Sequence, residues 1–170
     1  MASTIEGNSY RGGQTGRTAY LEKVDFFGNN VWSVPFTTES NFSCQISDIN
    51  INSSGQVLVT GYFYGDITVE NKKLNPGGFY ALFIAVISAN GKLVWINYYD
   101  KPYADKGLGV VGGMKGNAIY VCGNGGEVRA TGSSDFLIGK YSNSKTTSVR
   151  PIISTNQQIK MYYDDVNKVL

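Results

Sequence analysis

The densest candidate chemistry in the sequence is YYDKPYADKG at positions 98–107, where Tyr98, Tyr99 and Tyr103 lie beside Asp100 and Asp105. Two carboxylates close together can work as an acid and a base or nucleophile on a glycoside. Tyrosine rings can stack on a sugar or anchor an interface. The same residues would also suit a connecting segment whose rings cover sheet edges. No neighbouring group would push one carboxyl towards the acid role and the other towards the base. The same holds for Asp164 and Asp165 behind Tyr162 and Tyr163. The five residues are therefore a candidate binding surface, and no catalytic residue is assigned.

Other spacings carry less. DININSSG at 48–55 sets oxygens at Asp48, Asn50 and Asn52 before a glycine. Calcium loops alternate oxygens this way, but they carry more carboxylates and a closing glutamate. Alternation on a strand simply puts polar groups on one face. The chain has no histidine. That excludes His-based triads, His-ligated zinc and imidazole switching. Cys44 and Cys122 form no disulfide framework and read as small buried apolar residues. CGNGGEVRATG at 122–132 has no Gly-Lys-Ser/Thr and opens no helix, so it is no phosphate loop. No cofactor and no metal are expected.

Fifteen Lys and Arg against thirteen Asp and Glu give a net charge of +2, with no basic stripe of the kind that marks a nucleic-acid binder. The longest apolar run, FYALFIAVISA at 79–89, falls far short of the ~20 residues of a membrane-spanning helix. The start of the chain shows no signal-peptide core, and the compartment stays unassigned.

These residues must be positioned by strands. VLVTGYFYG and AIYVCG are rich in β-branched and aromatic residues and end at glycine. Asn90-Gly91 between apolar runs predicts a hairpin with a type I′ turn. No segment shows a capped 3.6-residue period. The patterns also repeat. TAYLEKVDFFGNNVW (18–32) aligns without gaps on ALFIAVISANGKLVW (81–95), so Trp95 follows Trp32 by 63 residues (95 − 32). SSGQVLVTG (53–61) matches KGNAIYVCG (115–123) at a spacing of 62 (123 − 61), and SDFLIGKYSNSK (134–145) is a third copy of the first half-unit. Each full period reads as four strands, with CQISDIN (44–50) innermost in one of them. Four antiparallel strands per repeat is the plan of a propeller blade.

These motifs resemble the bacterial beta-propeller repeat family known as SBBP repeats. Its Gly-Asn-x-Tyr-Val-Thr-Gly unit corresponds to GQVLVTG and GNAIYVCG, its Asp-x-Phe-Val-Ala-Lys-Tyr unit to FYALFIAVI and SDFLIGKY, and its Asn-Gly-x-x-x-Trp unit to NGKLVW and GNNVW. The resemblance covers roughly residues 18–145. It departs where Cys122 replaces Thr60, where GNAIYVCG is one residue longer, where no third Trp follows Lys145, and at an insertion over 66–78. It implies a propeller scaffold and supplies no catalytic residue.

The expectation is thus an all-β chain of propeller-like, four-stranded antiparallel blades. Residues 1–17 form a flexible or blade-linking segment, and 18–170 form the repeat domain. Within it lie a partial blade at 18–40, blades at 43–100 and 107–155, and a tail strand at 157–170. About three blades cannot close a ring alone. A second chain would complete it, making a homodimer or other homo-oligomer; a piece of a longer propeller is the competing explanation. The function expected is a non-enzymatic structural or protein-interaction module, with loops 66–78 and 124–134 as contact regions. The alternatives are a glycan-binding, lectin-like propeller and, behind it, a carboxylate-based glycosidase or lyase.

Overall fold

The structure is a computed structural model that describes residues 2–5, 8–15, 18–39, 42–77, 80–99, 106–113, 118–125 and 135–142. All the regular structure among them is strand. The chain runs through β1 (Ala2–Ile5), β2 (Asn8–Thr15), β3 (Thr18–Val24) and β4 (Asn30–Thr38), then β5 (Ser43–Ile51) and β6 (Val57–Tyr64). A short hairpin, β7 (Ile67–Val69) and β8 (Lys72–Leu74), precedes β9 (Tyr80–Ile87) and β10 (Leu93–Tyr99). β11 (Lys106–Gly112), β12 (Ala118–Gly125) and β13 (Asp135–Ser142) follow.

These strands form three open antiparallel sheets, ordered β1-β2-β3-β4-β7-β8, β5-β6-β9-β10 and β11-β12-β13. The central sheet is a four-stranded antiparallel meander. The expected fourth strand of the third unit, within 143–155, and the tail strand at 157–170 lie outside the described residues.

The N-terminal sheet is fuller than the sequence suggests. Residues 18–40 were expected to be half a unit, preceded by a flexible or linking segment. Instead β1 and β2 pair in sequence onto β3. The glycines that make 11–16 look flexible are what the sheet needs. A side chain on Gly12 would collide with Ile46 of β5, and one on Gly13 would overlap the Tyr20 ring on the neighbouring strand. Close approach, not flexibility, explains both residues.

The insertion also behaves differently from a contact loop. β7 pairs with β4 through Phe36↔Val69, Thr37↔Thr68 and Thr38↔Ile67, so a detour from the central sheet finishes the edge of its neighbour. Ile67 and Val69 are fully buried there. Lys72 and Lys73 sit on β8. Lys73 pairs with Asp66 at 2.6 Å and Glu39 at 3.1 Å, and the Asp66 carboxylate, then that of Glu39, holds its ammonium above the usual lysine range.

The three sheets stack through two cores. On one face of the central sheet, Val57, Val59, Phe63, Phe83 and Ile87 meet Leu21, Val34, Phe36, Ile67 and Val69 of the N-terminal sheet. On the other, Leu58, Leu82, Ile84 and Val86 meet Val110, Ile119, Val121 and Tyr141 of the C-terminal sheet. β9 therefore has no solvent face, which is why YALFIAVI reads as an unbroken apolar run rather than an alternating one.

The hairpin turns share one design. In 25–29, 52–56 and 88–92, the first residue's N–H donates to the carbonyl of the fifth, and the glycine at the fourth donates back to the first. Within these three turns it is the glycine, Gly28, Gly55 or Gly91, that takes a left-handed φ, at 85°, 73° and 79°. The turn after Ile87 is thus a three-residue loop closed by glycine, not the type I′ turn expected from Asn-Gly. Asp25, Asn52 and Ser88 occupy equivalent places, and each side chain accepts the N–H of the fifth residue.

A polar tie joins the central and C-terminal sheets. The Val110 N–H donates to Asp48 Oδ2 at 2.9 Å, joining β11 to β5. A hydrogen bond to a charged acceptor contributes about 1.5–3 kcal/mol. Asp48→Ala is expected to cost about 2 kcal/mol in urea unfolding. Asp48→Asn, which keeps an accepting oxygen, should cost clearly less. Equal losses for both would rule out this role.

Candidate functional site

Of the five residues singled out at 98–107, Tyr98 and Tyr99 are described; Asp100, Tyr103 and Asp105 lie outside the described residues. The two tyrosines do not make one surface. They are consecutive on β10 and so point to opposite faces. Tyr98 packs against the core shared with the N-terminal sheet, 5.9 Å edge-on from Phe63, and its hydroxyl donates to the Asn75 carbonyl at 2.9 Å. Tyr99 packs against the core shared with the C-terminal sheet.

Two of the three DININSSG oxygen side chains, Asp48 and Asn52, have structural work. Asp48 carries the tie to Val110. Asn52 Oδ1 accepts the N–H groups of Ser54 and Gln56, and its amide donates to Gln56 Oε1. No group of three or more His, Cys, Asp or Glu side chains able to hold a metal occurs among the described residues.

A different aromatic group forms at the Tyr64 end of the central sheet. Tyr62 and Tyr64 are two apart on β6 and share a face, and Tyr80 lies beside them on β9. Tyr62 and Tyr80 meet edge-on at 5.9 Å, Tyr64 and Tyr80 are tilted at 5.2 Å, and Phe42 meets Tyr64 at 5.9 Å. Lys106 reaches across from β11 and holds its ammonium 4.8 Å from the Tyr62 ring centre and 5.3 Å from that of Tyr80. The Tyr62 hydroxyl donates to Gln45 Oε1 at 2.6 Å, which fixes that ring beside an exposed amide. Aromatic faces beside an amide and an ammonium can stack on apolar surface and hydrogen-bond its polar rim. The alternation of Tyr62 and Tyr64 at the end of β6 is visible in the sequence. The arrival of Lys106 depends on sheet stacking, and no local pattern announces it.

The two cysteine thiols differ in burial. Burial pushes the Cys44 thiol well above its ordinary range, while Cys122 is only half-buried. The thiolate is the reacting species. A thiol-specific reagent applied to dilute native protein is therefore expected to label Cys122 and leave Cys44 unmodified, with both reacting in denaturant. Equal labelling of both in native protein would contradict this placement. Burial, and then the neighbouring Tyr99, also raise the phenol of Tyr141, whose ring stacks on Trp95 at 6.2 Å.

Comparison of the chain with models of known protein families finds no match, and comparison with curated proteins finds none.

Proposed function

We propose that this chain is a non-enzymatic structural and protein-interaction module whose three sheets act as consecutive blades of a propeller-like ring completed by a second copy. One observation supports the reading: equivalent repeat positions are buried between the central and C-terminal sheets and only half-covered on the outer face of the C-terminal sheet. Leu58, Thr60, Ile84 and Val86 of the central sheet are fully buried under the C-terminal sheet. Their counterparts one repeat later are Tyr120, Cys122, Ile138 and Lys140, of which the first three are half-buried and the last exposed. Val111 on the same sheet is 50% exposed. A face built to the pattern of a buried one is suited to a further sheet, and a closed assembly would cover it. Sedimentation equilibrium should give twice the chain mass at micromolar concentration. A monomer across the accessible range would overturn the reading.

The Tyr62, Tyr64, Tyr80 and Lys106 cluster favours a second reading, a glycan-binding propeller. A glycan array would show binding, with loss in Tyr64→Ala and Lys106→Ala. An array without signal would remove this alternative.

A further inference from the structure

The outer strand of a sheet offers its outward N–H and C=O groups to any strand that arrives, and an apolar one invites copies of a chain to join there. β10 is such a strand. It borders the central sheet, reads LVWINYY and carries no charge. Two of its N–H groups are nevertheless taken by side-chain oxygens. The Leu93 N–H donates to Glu70 Oε1 at 3.1 Å, and the Tyr98 N–H donates to Asn97 Oδ1 at 2.9 Å. Backbone groups on a paired strand alternate between its two sides. Donors that β9 already satisfies need no side chain, so these two lie on the open side.

The repeat treats the same position in two ways. Tyr98 pairs with Phe83 on β9, and Pro35 pairs with Tyr20 on β3. Both steps are 63 residues (98 − 35 and 83 − 20), so Pro35 is the counterpart of Tyr98 in the N-terminal sheet. Proline has no N–H to offer. One copy lacks the donor and the other has it filled. In the N-terminal sheet β7 then covers the next three residues, Phe36–Thr38.

Glu70 carries strain to make its bond. It opens the two-residue turn between Val69 and Lys72, with a φ of 51°. Among the described residues it is the one non-glycine residue with a positive φ. Glycine adopts that conformation without penalty, but it would bring no oxygen to Leu93. The same device recurs on the other side of the stack, where Asp48 Oδ2 takes the N–H of Val110 on β11, the outer strand of the C-terminal sheet.

We infer that Glu70 and Asn97 are edge guards: they hold the open side of β10 shut against strand addition by a second copy of this chain. The inference goes beyond the homo-oligomer proposed above and does not depend on it, because it concerns where copies are kept from joining.

The test opens the edge. The double variant Glu70→Gly, Asn97→Val suits both the turn and the strand. The amides of Leu93 and Tyr98 should exchange hydrogen at least about tenfold faster than in the parent, with those of β9 unchanged. In sedimentation velocity at equal concentration, the folded variant should form species at least about twice the parent's mass. Glu70→Gln keeps an accepting oxygen and should sediment as the parent does. Val94 is 49% exposed on the same strand, and adding Val94→Lys to the open variant should return the parent's mass. Should the double variant not fold, Asn97→Val alone carries the same comparison, with Tyr98 as its reporter amide. Leu93 and Tyr98 amides that exchange as fast in the parent as in the variants would overturn the guarding bonds. A folded open variant with the parent's mass would overturn the guard. Association that Val94→Lys leaves intact would place the contact elsewhere and overturn it too. Each comparison is made against the parent, so a monomeric parent removes the homo-oligomer and leaves the guards standing.

Discussion

Phe83→Ala is expected to remove about 3–5 kcal/mol of stability, a large share of what a domain of this size has. Phe83 is fully buried on a strand with no solvent face. Its ring lies 5.2 Å from Phe36 of the N-terminal sheet and 6.3 Å from Phe63 on β6, so it joins two sheets. Truncation would lose the apolar transfer energy and leave a cavity that rigid strands on both sides cannot close. Urea unfolding should show a lower midpoint with an unchanged slope. Phe26→Ala provides the contrast, because an exposed side chain outside the core should change monomer stability by no more than about 0.5 kcal/mol. A Phe83→Ala loss below about 1 kcal/mol would mean that the packing described for β9 is wrong.

Gly61→Ala and Gly123→Ala are expected to be the next most damaging, at about 3 kcal/mol each. A Cβ on Gly61 would overlap the Gln45 carbonyl oxygen, and one on Gly123 would overlap that of Lys106. The obstacle in both is backbone, which cannot swing aside as a side chain can. Both glycines face an irregularity in the innermost strand. The register shifts between Ile46 and Asp48 opposite the first, and between Gly107 and Gly109 opposite the second. A bulge bends the strand and re-aims its groups, and here it sets a carbonyl against the partner's Cα. Gly55→Ala differs in kind. Its φ is 73° with open space around it, so the cost is conformational, about 1 kcal/mol. Equal losses at Gly55 and Gly61 would show that the clash is absorbed.

The repeat and the strands inside it were legible because their causes are local. Gly61 and Gly123 stand out in the alignment because each copy meets the same bulge. The 79–89 run is unbroken because β9 is buried on both faces. What escaped depends on contacts distant in sequence. Gly12 and Gly13 look like flexibility until Ile46 and Tyr20 are seen against them. The 66–78 insertion looks like a loop because the strand that receives it belongs to another repeat. The candidate site divides in the same way. Tyr98 and Tyr99 look like a cluster in one dimension, yet the two-residue period of a strand sends them into different cores. Tyr62, Tyr64 and Tyr80 come together only through the pairing of β6 with β9.

The pairing of β7 with β4 also orders events in time. During synthesis the first four strands leave the ribosome before the hairpin that borders them. Until residues 67–74 have emerged, β4 presents an unpaired edge, and its inward Val34 and Phe36 lack their cover. The N-terminal sheet therefore cannot finish folding on its own and must wait for the middle of the chain. Nascent chains arrested shortly after β6 would be open to proteolysis and to edge-to-edge association. Those carrying the hairpin would resist both. The strap that ties two neighbouring sheets in space thus makes completion of the earlier one conditional on the later.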